Sequence, residues 1–131
     1  MRISLDTSAY SALDRGHLQV QNVLEQADEV VISVVTIAEL LAGFAGGSRA
    51  DWNRSELQRF LGLEGVAIGS LDFATAERYA EIATHLRRQG TPPPTNDIWI
   101  AAHAMQHGFR VVTLDAHFTK MPQVSTPLFK S

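Results

Sequence analysis

Residues 30–44 read Val30-Val31-Ile32-Ser33-Val34-Val35-Thr36-Ile37-Ala38-Glu39-Leu40-Leu41-Ala42-Gly43-Phe44, and this stretch sets the architecture. Its first six residues are five β-branched apolar side chains and one serine, without alternation. That is the pattern of a parallel strand covered on both faces. From residue 36 the period changes: Ile37, Leu40, Leu41 and Phe44 fall on one helical face. Gly46-Gly47-Ser48 breaks that helix. Upstream, Arg2-Ile3-Ser4-Leu5 reads as a short strand that stops at Asp6-Thr7-Ser8, residues that favour turns and helix caps. A short helix follows over residues 9–13, then a second carrying Val20, Val23, Leu24 and Ala27. Downstream, the pattern predicts a helix over 52–61, a strand over 65–68 and a long helix over 72–89. Phe73, Ala76, Ala80 and Ala83 form the repeating stripe of that long helix, and Gly90 sits at its C′ position. Thr91-Pro92-Pro93-Pro94 is a rigid extended loop. Thr95 is expected to cap a helix over 96–107 that ends at Gly108, ahead of a strand over 110–114. Val124 marks a possible short edge strand. Strands that alternate with helices predict an α/β fold, a parallel sheet with helices on both faces, in a single domain over residues 1–131.

Composition is consistent with a folded domain. The 131 residues are 45% hydrophobic and 19% charged, close to the globular average. There is no cysteine, which excludes disulfides, thiolate zinc sites and a cysteine nucleophile. No apolar run approaches the ~18 residues that span a bilayer, and no signal-peptide or lipidation pattern is present, so no membrane association and a cytoplasmic location are expected. The 11 basic and 14 acidic residues give a net charge of −3, which alone argues against a nucleic-acid partner.

Four of those acids change that argument. Ligands of open parallel sheets bind beyond the C-terminal ends of the strands. Asp6 follows the first strand, Glu39 is expected in the first turn of the helix after the second, and Asp115 follows the last strand. Asp97 lies in the first turn of the helix that leads into that last strand, and reaches the same edge only if that helix N-terminus projects over the strand ends. Each also has an ordinary structural role: Asp6 as a helix cap, Glu39 closing a T-x-x-E capping box with Thr36 and pointing away from the apolar face, Asp97 complementing a helix dipole, Asp115 making an Asx turn. Their joint placement is the signal. Clustered carboxylates repel unless neutralised, and no matching lysines or arginines stand beside them in sequence. A hard divalent cation, Mg2+ or Mn2+, is the natural counter-charge, and such a site supports phosphodiester hydrolysis. Setting the four aside leaves ten acids against 11 basic residues, so net acidity no longer opposes a phosphate-rich ligand.

Other groups carry less. His103 and His107 stand i, i+4 on one helix, but without an adjacent glutamate they read as surface or partner-facing side chains. Ser8 lacks the G-x-S-x-G elbow of a hydrolase nucleophile, and no Walker or G-x-G-x-x-G loop exists. Arg87 and Arg88 close the long helix, where they either complement its dipole or touch a nucleic-acid backbone. Tyr10, Phe44 and Trp52 read as core or interface rather than as base-stacking residues.

The ordered motifs resemble a known family. Leu5-Asp6-Thr7-Ser8, Ser33-Val34-Val35-Thr36-Ile37-Ala38-Glu39-Leu40, the run Gly90-Thr91-Pro92-Pro93-Pro94-Thr95-Asn96-Asp97-Ile98-Trp99-Ile100-Ala101-Ala102-His103-Ala104, and Val111-Val112-Thr113-Leu114-Asp115-Ala116-His117-Phe118 are together similar to the PIN-domain ribonucleases, and more closely to the VapC-like toxins of toxin–antitoxin pairs. The resemblance covers essentially the whole chain. It implies a three-layer α/β/α sandwich with a mainly parallel central sheet, and a Mg2+- or Mn2+-dependent endoribonuclease. Asp6 and Asp97 would be the most direct metal ligands, Glu39 and Asp115 would complete the acidic site partly through water, and Ser8 or Thr113 would orient a ligand or an acid. Where the family often carries asparagine this chain has Ser8. The resemblance also implies an RNA substrate, a homodimer, and a cognate antitoxin that covers the site and through which operator DNA is bound.

Three other readings remain on the residues alone. A phosphoryl-transfer domain with Asp6 as nucleophile lacks the usual second aspartate, since Ser8 stands two positions on. A binding module would keep the fold without chemistry. A DNA-directed nuclease on the same scaffold would use the same acids.

Overall fold

The computed structural model describes residues 1–90, 94–123 and 129. Four strands, β1 (Arg2–Leu5), β2 (Glu29–Ser33), β3 (Val66–Gly69) and β4 (Arg110–Val112), form one sheet in the order β3-β2-β1-β4. Every pairing is parallel: Ser4 lies beside Val31 on one side and Val111 on the other, and Val31 lies beside Ala67. The helices are α1 (Thr7–Asp14), α2 (Leu18–Gln26), α3 (Val34–Ala45), α4 (Ala50–Leu61), α5 (Phe73–Gln89) and α6 (Thr95–His107), followed by a 3₁₀ turn, Ala116–Lys120.

The sheet separates two apolar clusters, because successive strand residues point to opposite faces. On one face Ile3, Leu5, Val30, Ile32 and Val112 pack with Ala9 and Tyr10 of α1, Leu40 of α3 and Leu57 of α4. On the other, Val31 and Val111 pack with Ile82 and Leu86 of α5 and Ile98, Ile100 and Ala101 of α6. Helices on both faces of a parallel sheet make the expected three-layer α/β/α arrangement.

Several boundaries differ from the sequence expectation. β2 ends at Ser33, not at residue 35, because the Ser33 hydroxyl accepts from the backbone N–H of Thr36 at 3.3 Å and starts α3 at Val34. The cap outweighs the strand preference of Val34 and Val35. The T-x-x-E box therefore does not form, the Thr36 hydroxyl is buried without a partner, and Glu39 sits in the second turn of α3 instead of the first. The N-cap of α6 is Pro94, with no side-chain cap bond, and Thr95 is already helical. β4 stops at Val112, two residues short of the expected end, because the Thr113 hydroxyl accepts the Asp115 N–H at 2.8 Å and turns the chain. The buried stripe of α5 is Thr75, Ile82 and Leu86, with Tyr79 and Ala83 packed beside it. Phe73, expected in that stripe, is 81% exposed at the first helical position. Tyr10 is core, edge-on to Phe60 at 5.6 Å, and Phe44 packs against the same cluster, whereas Trp52 is exposed. The edge strand expected at Val124 lies outside the described residues.

His103 is the largest correction. Expected at the surface, it is 2% exposed. α6 lays it on the sheet at Gly69, the last residue of β3. A Cβ at residue 69 would overlap His103 Cε1 and stand 2.6 Å from Nε2, so glycine is what admits the ring. Helical periodicity around His103 shows neighbours along α6, but not a hole in the opposite strand.

Candidate acidic active site

Asp6 is delivered by β1 and caps α1: its Oδ1 accepts the Ala9 N–H at 2.8 Å. The same oxygen accepts the Ser8 hydroxyl at 2.8 Å, and Oδ2 accepts the Thr113 hydroxyl. Ser8 Oγ in turn accepts the Leu114 N–H at 3.0 Å. The turn after β1 and the turn after β4 are thereby stitched across neighbouring strand ends. Asp6 is 3% exposed, and burial pushes its carboxyl up to about 6 despite three bonds that favour the charged form; the Asp97 charge adds to the rise.

Glu39 reaches the same edge from α3. Thr7 Oγ1 donates to its Oε1 at 2.7 Å and Asn96 Nδ2 to its Oε2 at 3.2 Å, tying it to the starts of α1 and α6. Asp97 stands in the first turn of α6, where the helix dipole favours an anion. Its carboxyl is raised above the ordinary aspartate value, first by burial, then by the charges of Asp115 and Glu39, against a lowering by His117. Asp115 caps the 3₁₀ turn and accepts the His117 N–H at 2.9 Å. The four acids thus share one field at the C-terminal edge of the sheet. The arginine ion pairs with Glu29, Glu56 and Glu81 lie elsewhere.

The convergence is tightest at Asp97, Asp115 and His117, whose ligand-type atoms all lie within 4.8 Å of one another. Nδ1 of His117 is 3.1 Å from Asp97 Oδ2 and 3.0 Å from Asp115 Oδ1. Asp6 is not one of the three, and its oxygens accept from Ala9, Ser8 and Thr113. The donor set suits a divalent cation: partly buried carboxylate oxygens, of which Asp97 is raised in pKa first by burial, with no lysine or arginine among the described residues bonded to them. Sequence reasoning gave no role to His117, Thr7 or Asn96. His117 was signalled by D-x-H: an aspartate that caps a turn brings the residue two positions on back over its own carboxylate. Nothing in sequence pairs Thr7 and Asn96 with Glu39, since that contact exists only once three helices meet.

Comparisons with known proteins agree with this arrangement. The PIN domain family matches residues 3–124. The chain is 31% identical over 117 residues to Ribonuclease VapC5 of Mycobacterium tuberculosis, covering 89% of this chain and 85% of that one. It is 32% identical over 93 residues to Ribonuclease VapC4 of the same organism, covering 71% and 72%. Among solved structures, VapBC2 from Rickettsia felis, crystallised with a DNA fragment from its promoter, superposes with a TM-score of 0.87 at 25% identity over 98% of this chain and 99% of that chain. By sequence and by fold, the chain belongs to the PIN-domain family.

Proposed function

We propose that this chain, as one nuclease domain over residues 1–131, is a metal-dependent endoribonuclease, the toxin of a toxin–antitoxin pair. The observation that carries the reading is the meeting of Asp6, Glu39, Asp97 and Asp115 at one edge, where ligand-type atoms of Asp97, Asp115 and His117 lie within 4.8 Å of one another. The ribonuclease names of its relatives, and a similar solved structure from Mycobacterium tuberculosis described as a member of the VapBC family of toxin–antitoxin systems, support the class.

In this reading Asp97 and Asp6 hold Mg2+ or Mn2+ most directly, and Asp115 and Glu39 complete the site partly through water. A bound cation supplies positive charge for the phosphodiester oxygens and lowers the pKa of water at the site. The chain's own residues set the geometry. Ser8 and Thr113 fix the Asp6 carboxylate in one rotamer through both oxygens. Thr7 and Asn96 hold Glu39 at the rim. Water attacks phosphorus in line and the 3′ oxygen leaves, so the products carry 5′-phosphate and 3′-hydroxyl ends and the RNA 2′-hydroxyl takes no part.

Its partners are an RNA substrate, a second copy of the chain in a homodimer, and a cognate antitoxin that covers the acidic edge and brings the pair to operator DNA. The reading places it in the cytoplasm; no helix among the described residues is long and apolar enough to cross a membrane. The test is parallel digestion of RNA and DNA with Mg2+ or with EDTA, with analysis of the new ends. Metal-dependent RNA cleavage with 5′-phosphate ends supports the proposal. Cleavage of DNA alone transfers the site to a DNA nuclease, 2′,3′-cyclic phosphate ends reject the mechanism, and absence of divalent-ion binding at millimolar concentration favours a binding module.

A further inference from the structure

His117 is placed with more definition than an incidental surface histidine needs. Asp115 caps the 3₁₀ turn through the His117 backbone N–H, and the turn swings the imidazole back between two carboxylates from different elements. Nδ1 lies 3.0 Å from Asp115 Oδ1 and 3.1 Å from Asp97 Oδ2. A ring nitrogen carries at most one hydrogen. That hydrogen serves one carboxylate well; as a bare lone pair, the nitrogen repels both. A cation among the three atoms satisfies all of them. The spacing agrees, because neighbouring ligands at right angles around a metal with bonds of about 2.1 Å stand about 3.0 Å apart. The side is also open: the side chains of Asp97, Asp115 and His117 are 14%, 36% and 45% exposed, leaving room for water or a phosphate oxygen to complete the shell.

Resting on the metal-dependent reading above, we infer that His117 Nδ1 is a nitrogen ligand beside Asp97 and Asp115, and that it biases the site toward Mn2+ over Mg2+. Imidazole suits transition metals, whereas Mg2+ strongly prefers oxygen. An acid-only site at this edge has no such bias built in. The residue therefore sets metal choice rather than metal binding as such.

The test uses the full chain stripped with EDTA and titrated separately with MnCl2 and MgCl2 by calorimetry, with pulsed electron paramagnetic resonance on the Mn2+ complex. The wild-type spectrum is expected to show modulation from one directly coordinated imidazole nitrogen. His117→Gln loses that modulation and about tenfold in Mn2+ affinity, while its Mg2+ affinity changes less than about threefold. Asp97→Asn weakens both metals. Mn2+ bound without nitrogen modulation, or an unchanged Mn2+/Mg2+ ratio in His117→Gln, overturns the role of His117 and leaves the metal-dependent reading standing. Wild-type protein that takes up neither metal at millimolar concentration overturns both.

Discussion

Helix α6 carries two charged chemistries into low-exposure positions, and they respond to burial in opposite ways. At its start, Asp97 joins Asp6, Glu39 and Asp115, and burial drives the Asp97 and Asp6 carboxyls upward, Asp6 to about 6. Two turns later, His103 lies over Gly69, and burial with the neighbouring His107 drives its pKa down to about 4. In both places desolvation is the largest cause. The difference lies in the neighbours. His103 escapes the cost by staying neutral, packed parallel to Phe109 at 6.0 Å, with its Nδ1 unpartnered. Asp6 and Asp97 are instead held by donors that favour the charged form, Thr113, Ala9 and Ser8 for the first and His117 for the second. One region is a settled piece of core; the other holds clustered acids that a bound cation would neutralise.

Removing charge from the unsettled region should give the largest effect. Asp97→Asn is expected to lower RNA cleavage by about 100-fold or more, since it deletes a metal-holding oxygen. The same change should raise the melting temperature of the EDTA-treated protein, because it removes like-charge repulsion. Turnover and thermal melts on one preparation check both, and a loss of stability in the metal-free variant would break the comparison.

Acid titration sharpens it next. The His103 pKa is lower folded than unfolded, so its contribution is complete above about pH 6.5 and is lost as pH falls toward about 4. The Asp6 pKa is higher folded than unfolded, so its contribution is complete below the unfolded value of 3.8 and is lost as pH rises through about 6. The two oppose each other over the same window, each on the order of 3 kcal/mol at its limit. His103→Leu removes one of them. Denaturant unfolding in EDTA should then show the variant gaining stability, relative to wild type, as pH drops from 6.5 to 4. Parallel curves for the two proteins would mean that His103 is not buried neutral.

Smaller effects probe the packing on each side. Gly69→Ala should cost about 1–3 kcal/mol through overlap with the His103 ring, with cleavage per folded molecule unchanged. Thr113→Val should lower cleavage by about tenfold, roughly the value of one bond to a charged group, because Asp6 Oδ2 and the Asp115 N–H both lose a partner. Kinetics on the folded fraction separates these two outcomes.

The settled and unsettled regions were also unequally legible. Asp6 and Asp115 could be read because a strand end followed by an aspartate is a local pattern. Glu39 and Asp97 sit on α3 and α6, and Asp97 joins the edge only because α6 begins over the strand ends, which the sequence did not show. The run Val30 to Ile32 marked β2 without ambiguity. Its end was misread because Val34 and Val35 look like strand, whereas the Ser33 hydroxyl caps α3 and starts it at Val34. The stripe of α5 was misread for a related reason. Thr75 is buried by the capping box with Asp72 and a bond to Gln106 of α6, and that rotates Phe73 out to solvent. His103 depended on the empty Cβ position of Gly69, and the clamp on Glu39 depended on Asn96, 57 residues away. Contacts of that kind come from packing and leave no periodic trace.

The most direct test of the central claim is RNA cleavage by the full, antitoxin-free chain with Mg2+ and with EDTA, beside Asp6→Asn. The account predicts cleavage that EDTA abolishes and that Asp6→Asn lacks while keeping the wild-type circular dichroism spectrum. Cleavage that persists in EDTA and in Asp6→Asn would contradict it.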